Sequence, residues 1–303
     1  MASLLSVSDI KEDVEYILDL AIKIKAGEVE DKPLEGKTLA MIFQKSSTRT
    51  RVSFDVGMYQ LGGRAIFLSS NDLQMGRGEP ISDTAKVLSR FVDGIMIRAI
   101  KHSDVVELAK YSDVPVISGL TDLEHPCQAL ADMLTIKEHL GDWKGKKICF
   151  VGDGNNVCNS LLLIAPLLGM DASVACPKGY EPDEAILETA KEYARENNTE
   201  IVVSDDIGVA LENVDVVYTD VWVSMGDEAE AAQREIDLAP FQVNSDLMSI
   251  ANDGAIFMHC LPAIRGQEVS ADVIDGPQSV IYDEAENRMH AQKAVLYYYL
   301  KDD

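Results

Sequence analysis

Six places in this sequence carry polar side chains at spacings that chemistry could use. The first is Ser47-Thr48-Arg49-Thr50-Arg51, which follows the apolar run Thr38–Phe43 and precedes Val52, Val56 and Tyr59 at helical spacing. It therefore marks the end of a strand and the start of a helix. Ser47 or Thr48 is a good N-cap, and the open N–H groups of the first turn, the threonine hydroxyls and Arg49 together make a seat for a phosphate. The helix dipole adds about 0.3–1 kcal/mol and each hydrogen bond to a charged group roughly 1.5–3 kcal/mol, so the arginine dominates. Alone, the segment also reads as a capped surface helix with solvated arginines. Two arginines clustered in so acidic a chain favour the seat.

The other candidates are less specific. Arg98 closes the apolar run Ile95-Met96-Ile97, where a guanidinium reaches a phosphate and a neighbouring carbonyl as readily as it forms a strand-end salt bridge. In His125-Pro126-Cys127-Gln128 the proline suits the first helical position, which makes His125 the cap and puts Gln128 in the first turn. A histidine and an amide so placed could hold a carbonyl oxygen as charge develops on it. A lone capping histidine is otherwise structural. Gly152-Asp153-Gly154-Asn155-Asn156-Val157 is a near miss to the dinucleotide fingerprint, with Val157 where the third glycine belongs. Its asparagines offer neutral hydrogen bonds to a carboxylate or amine, and Asp220 in Asp220-Val221-Trp222-Val223-Ser224-Met225-Gly226 offers a partner for an ammonium. Cys260 beside His259 suggests a thiol nucleophile, but neighbouring strand residues face opposite ways, which argues against a dyad.

Positioning these residues requires an alternating scaffold. Strands are expected at Thr38–Phe43, Ala65–Leu68, Gly94–Ile97 and Val114–Ile117, with helices over Ile81–Arg90 and Asp104–Tyr111 between them. A long helix from Pro126 toward Leu140 is ended by the turn Gly141–Gly145, the expected junction. Strands then recur at Lys147–Val151, Ala172–Ala175, Ile201–Val203, Asp215–Thr219 and Ala255–His259, with a helix over Glu184–Asn197 and a final one over Glu284–Leu300. This rhythm implies an α/β fold of two doubly wound parallel-sheet domains, residues 1–134 and 135–284, with the C-terminal helix 285–303 packing back on the first. Ligands in such sheets bind outside the carboxyl ends of the strands, which gathers all six candidates at one edge.

Composition narrows the function classes. The chain has 303 residues, 47% of them hydrophobic, and no apolar run long enough to span a membrane. No basic segment followed by a long apolar stretch opens the sequence, so the expected compartment is the cytoplasm. Five widely spaced cysteines read as reduced thiols rather than a disulfide framework or a zinc site. A formal net charge of −24 argues against nucleic acid and anionic membranes as partners. The acids are scattered, so they read as a solvated surface, either of an ordinary acidic enzyme or of one adapted to molar salt.

Taken together, Ser47–Arg51, His125–Gln128, Asp220–Gly226 and His259-Cys260-Leu261-Pro262 resemble the ornithine carbamoyltransferases, in order and spacing, over about Leu34 to Leu300. The first two motifs mark carbamoyltransferases generally; the Ser-Met-Gly loop and His-Cys-Leu-Pro mark the ornithine type. The resemblance implies transfer of a carbamoyl group from carbamoyl phosphate to the δ-amine of L-ornithine, giving citrulline and phosphate, or the reverse in arginine catabolism. It implies that Ser47, Thr48, Arg49, Thr50, Arg98 and Arg288 hold carbamoyl phosphate, with Gln74, His125, Gln128, Cys260 and Leu261 lining the same site. Arg49, Arg98, His125, Gln128, Asp220 and Cys260 are the expected catalytic groups, and Asn156, Asp220, Ser224 and Met225 the expected ornithine ligands. A homotrimer or a multiple of trimers, with active sites in interdomain clefts and at subunit interfaces, follows from the same resemblance. Because phosphate is already a good leaving group, direct attack needs placement and oxyanion stabilisation, and neither metal nor organic cofactor is required.

Three alternatives remain distinguishable. An aspartate-using sister enzyme lacks the Ser-Met-Gly loop; a nicotinamide oxidoreductase rests only on the imperfect glycine fingerprint; a non-catalytic descendant would be expected to lose polar positions that are all present here.

Overall fold

The computed structural model describes residues 2–69, 73–223 and 228–302. The chain divides into two compact units, one of Met1–Leu134 with Glu286–Asp303 and one of Thr135–Ala285. Gly141–Gly145, expected at the junction, lies inside the second unit, because the division falls within a helix and not at its end.

In the first unit, β1 (Thr38–Phe43), β2 (Arg64–Ser69), β3 (Gly94–Arg98) and β4 (Val116–Leu120) form one parallel sheet in the order β2-β1-β3-β4. Helices α1 (Val14–Ala26), α2 (Thr48–Gln60), α3 (Ile81–Leu88) and α4 (His102–Tyr111) flank the strands, and α5 (Pro126–Leu140) follows them. Every residue of β1 and β3 is buried, as central parallel strands covered on both faces must be. The edge strand β2 is only half-buried. Ala40, Ile42, Ile95, Ile97, Val105 and Leu108 form a core against α4, each large side chain contributing about 1.5–3 kcal/mol on burial.

The second unit holds β5 (Lys147–Val151), β6 (Asp171–Ala175), β7 (Ile201–Ser204), β8 (Val216–Thr219) and β9 (Ile256–Met258) in the order β7-β6-β5-β8-β9, all parallel. Its helices are α6 (Asn156–Leu167), α7 (Glu184–Asn197), α8 (Ile207–Leu211), α9 (Ala231–Leu238), α10 (Ser245–Met248) and α11 (Ala271–Ile274). Helix α12 (Ile281–Leu300) closes the chain, its residues from Glu286 onward belonging to the first unit. Both domains are thus doubly wound, as the alternation in the sequence implies. Among the described residues no helix is long and apolar enough to cross a membrane.

Helix α2 carries the first motif, and its seating explains where that motif lies. It buries Thr50, Ser53, Phe54, Gly57 and Met58, one stripe at helical spacing. Gly57 is what the close approach requires: a Cβ there would stand 3.2 Å from Cγ of Lys293 on α12.

Candidate active site

In each sheet the order reverses at one pair of neighbouring strands, β1 and β3 in the first and β5 and β8 in the second. Crossovers leave such a pair in opposite directions, which opens a crevice at the strand ends. Ser47, Asn156 and Asp220 follow β1, β5 and β8 and Arg98 ends β3, while His125 follows β4 and Cys260 follows β9. The single edge expected from the sequence is therefore two edges, one in each unit.

At the first, Ser47 is the N-cap of α2, its Oγ accepting from Thr50 N at 3.2 Å. The Ser47 hydroxyl donates to Thr50 Oγ1 at 3.0 Å, and Arg288 Nη2 on α12 donates to that same oxygen at 2.9 Å. Thr50, with no exposed surface, thus accepts from two groups and has its own proton left to donate. Thr48 is exposed and Arg49 half-buried. Arg51 is not part of the seat: its guanidinium lies 3.8 Å from the centre of the Phe67 ring on β2. Two residues apart on a helix, Arg49 and Arg51 point to different sides. Arg98 is aimed by a bulge, since the β3–β4 register steps from Ile97↔Ser118 to Arg98↔Leu120.

His125 precedes α5, and its carbonyl accepts from Gln128 N at 3.0 Å. Burial holds its imidazole well below the ordinary histidine range, and Arg288, Arg98 and Arg49 push it further the same way. Burial and the three guanidiniums thus all favour the uncharged ring. Gln128 is fully buried, its Nε2 donating to Asp132 Oδ1 at 2.8 Å. Gln74 is exposed on a 3₁₀ turn, Gln74–Arg77, and among the described residues no hydrogen bond joins it to this group.

The second edge is built around Asp220, directly after β8. Its Oδ2 accepts from Asn155 Nδ2 at 2.8 Å, and its Oδ1 accepts from Cys260 Sγ at 3.1 Å and from Val221 N at 2.8 Å. Asn155, not Asn156, caps α6, receiving Val157 N and Cys158 N on Oδ1 while its amide reaches Asp220. Asn156 is the first helical residue, half-buried. Ser224 and Met225 lie outside the described residues. The Trp222 carbonyl, just before them, accepts from Arg234 Nη1 at 3.3 Å, and that arginine is ion-paired to Asp153 at 2.7 Å.

One step of the sequence argument needs correcting. Strand β9 ends at Met258, so alternation does not separate His259 from Cys260, and their polar atoms lie with that of Asp220 within 4.8 Å of one another. A Cys–His dyad is excluded for a different reason. His259 Nδ1 accepts from Leu261 N at 2.9 Å, so the ring proton sits on Nε2, which faces Glu268 Oε1 at 3.1 Å. Both nitrogens are occupied, and the Cys260 thiol turns to Asp220 instead. Leu261 needs that bond, because at φ 57° it stands in the left-handed region that a leucine rarely adopts. The other four cysteines are buried, and burial pushes the thiols of Cys127 up to about 12 and Cys149 up to about 11.

Comparison with known proteins gives each unit a counterpart. Residues 2–138 match the carbamoyl-P binding domain of the aspartate/ornithine carbamoyltransferases, and residues 144–299 match their Asp/Orn binding domain. The chain belongs to the aspartate/ornithine carbamoyltransferase family. Within the family it stands with the ornithine carbamoyltransferases: it is 78% identical to that enzyme of Methanobrevibacter smithii over 99% of this chain and all of the relative. The structure of ornithine carbamoyltransferase from Pyrococcus furiosus is 54% identical and superposes with a TM-score of 0.94, covering 98% of this chain and 96% of that one. An N-acetyl-L-ornithine transcarbamylase superposes at 0.89 with 33% identity, over 99% of this chain and all of the other, so the shared fold alone does not choose the amine.

Three residues that brace the second edge were not anticipated. Glu284, fully buried, accepts from His259 N at 2.9 Å and from the Tyr218 hydroxyl at 3.0 Å; Glu268, also fully buried, accepts from His259 and from Ile264 N at 2.6 Å. Asn155 is the third. A carboxylate without exposed surface is costly unless hydrogen-bonded, but Glu284 lies between Asp283 and Glu286 and Glu268 between Gln267 and Ser270, so their sequence surroundings carry no signal of burial.

Proposed function

We propose that the chain transfers a carbamoyl group between carbamoyl phosphate and ornithine, a reading that its family membership supports. We propose that carbamoyl phosphate sits on Ser47, Thr48, Arg49, Thr50, Arg98 and Arg288, with its carbonyl oxygen toward His125 and its carbamoyl end at Gln128, while Asn156, Asp220, Ser224 and Met225 take ornithine. The observation that carries this reading is the convergence of Arg49, Arg98 and Arg288 on a neutral, buried His125. Three cations fit a phosphate dianion, and an uncharged imidazole N–H can donate to a carbonyl without repelling them.

In the forward direction the deprotonated δ-amine of ornithine attacks the carbamoyl carbon, the carbonyl oxygen gathers charge against His125 and Arg98, and the C–O bond to phosphate breaks with the electron pair leaving on phosphate. The amine sheds a proton, giving citrulline. Preorganised donors of this kind are worth about 10²–10³ each in rate, and placement of the two substrates up to roughly 7–11 kcal/mol. Cys260 and Leu261 border the carbamoyl end. Cys260, bonded to Asp220, orients or desolvates the amine and does not attack, so no covalent enzyme intermediate forms. The chain works in the cytoplasm, where five cysteines outside any disulfide persist as thiols. It assembles as a trimer, for which the exposed Val52, Tyr59 and Phe91 and the half-covered Ile66 and Phe67 of the first unit offer an apolar surface. Gln74, exposed on its own chain, suits the seat of a neighbouring copy.

Citrulline formation by the full chain tests the reading, with ornithine, N-acetylornithine and aspartate offered in turn beside carbamoyl phosphate. Activity with ornithine alone is expected; carbamoyl-aspartate as the main product would sink it. Sigmoidal saturation by carbamoyl phosphate would assign the catabolic direction.

A further inference from the structure

Asp132 has no place in the reading above, yet it is a carboxylate without exposed surface on the core side of α5, one turn beyond Gln128. Burying such a group is expensive and needs a return. Its Oδ1 accepts from Gln128 Nε2 at 2.8 Å. Because Oδ1 accepts the amide N–H, this bond decides which way round the Gln128 amide sits. The NH₂ donates to Asp132, and Oε1, in the same plane but on the other side of the Cγ–Cδ bond, is turned away from it. Gln128 is in the first turn of α5, its backbone N–H donating to the carbonyl of His125 at 3.0 Å.

We infer that Asp132 is a positioning residue that sets substrate selectivity: it fixes Gln128 as a hydrogen-bond acceptor, so that the donor subsite reads the NH₂ of a carbamoyl group and disfavours an acyl phosphate bearing a methyl in its place. The inference rests on the placement of the carbamoyl end at Gln128 proposed above. Carbamoyl and acetyl groups have nearly the same shape and share a carbonyl oxygen. The property that separates them is the pair of N–H donors, which an acceptor rewards and a donor does not. An amide free to flip would present either face and lose the distinction. An acidic side chain behind it removes that freedom, and no residue in contact with the substrate needs to change.

Two hydrolytically stable probes differ in this one group: phosphonoacetamide, carrying NH₂, and 2-oxopropylphosphonate, carrying CH₃. Calorimetric titration of the full chain with each, and with inorganic phosphate, gives a selectivity ratio and a control. The wild type is expected to favour phosphonoacetamide by about tenfold, the worth of one hydrogen bond. Asp132→Asn, whose side chain can also donate and so accommodates the flipped amide, should bring the ratio close to one, while phosphate affinity stays within about twofold. In a Gln128→Ala background the same substitution should leave the ratio where Gln128→Ala alone puts it. A purely structural role would lower all three affinities together and leave the ratio intact, and that result overturns the inference. Should Asp132→Asn not fold, the wild type still decides: equal affinity for the two probes overturns the inference, and tenfold preference supports it. A folded wild type that binds neither probe nor phosphate overturns the inference through the reading it rests on; a wild type that discriminates beside a variant that discriminates equally overturns the inference alone.

Discussion

The two edges solve opposite problems. The first unit holds a histidine whose charge is suppressed by burial first and by Arg288, Arg98 and Arg49 second, so positive charge dominates the proposed phosphate seat. The second places one carboxylate, Asp220, among three neutral donors, Asn155, Cys260 and the Val221 N–H, so its charge is satisfied before any ligand binds. The proposed anion seat is dominated by positive charge, and the proposed amine seat by one hydrogen-bonded carboxylate. Substitutions in the first should therefore act mainly on affinity and rate, and those in the second mainly on placement.

The sharpest test of this contrast is Arg49→Ala against Cys260→Ala. Loss of a charged donor to the transferring group should cost about 10²–10³-fold in turnover, loss of the thiol about tenfold, because it only frees one lone pair of Asp220. Equal losses in steady-state assays would erase the distinction. Next, Asp220→Asn should raise the KM for ornithine by about 10–100-fold while titration with phosphate alone is unchanged; weakened phosphate binding would show that the carboxylate serves both ligands. A smaller effect is expected from Glu268→Gln. The amide cannot accept as strongly from His259, and a destabilisation of about 1–3 kcal/mol in urea unfolding should come with a looser ornithine site and an intact phosphate seat.

The smallest effect concerns pH. Because folding lowers the His125 pKa, the unfolded chain binds the extra proton first. Stability is therefore complete above the ordinary histidine value of about 6.5 and falls as pH drops below it, by up to about 1.4 kcal/mol per pH unit until the folded-state value is reached. His125→Gln should flatten that part of the curve, read from thermal midpoints between about pH 7 and 5. An unaltered slope would mean that His125 is not held neutral.

The anion seat was the more legible of the two. Ser47, Arg49 and Thr50 are contiguous, so strand, cap and charge appear in one short stretch, and the β1 bounds expected from the sequence are those observed. Arg288, which bonds Thr50 from α12, is distant in sequence and was reached through the family resemblance alone. Arg51 shows the limit of adjacency, since clustering in sequence put it in the seat and the helical turn sends it to Phe67. The amine edge was harder because its supports are scattered. Nothing near His259 in the sequence says that Glu284 will hold its N–H. The end of β9 at Met258 likewise voids the alternation by which His259 and Cys260 were separated. Asn155 and Asn156 are equally plausible caps by type, and only the fold assigns the cap to one of them.

The three arginines have a consequence for how the donor arrives. They form a small positive well on a chain whose net charge is −24, so a dianion diffusing toward this protein is repelled over most of the surface and drawn in at one point. Added salt screens the broad, long-range repulsion over a Debye length of about 8–10 Å, while the nearly desolvated well is screened far less. The association rate of carbamoyl phosphate should accordingly rise with moderate salt before it falls, whereas most anion-binding enzymes lose encounter rate from the first addition. An acidic surface then acts as a filter on the approach path, and ionic strength sets how often the seat is found.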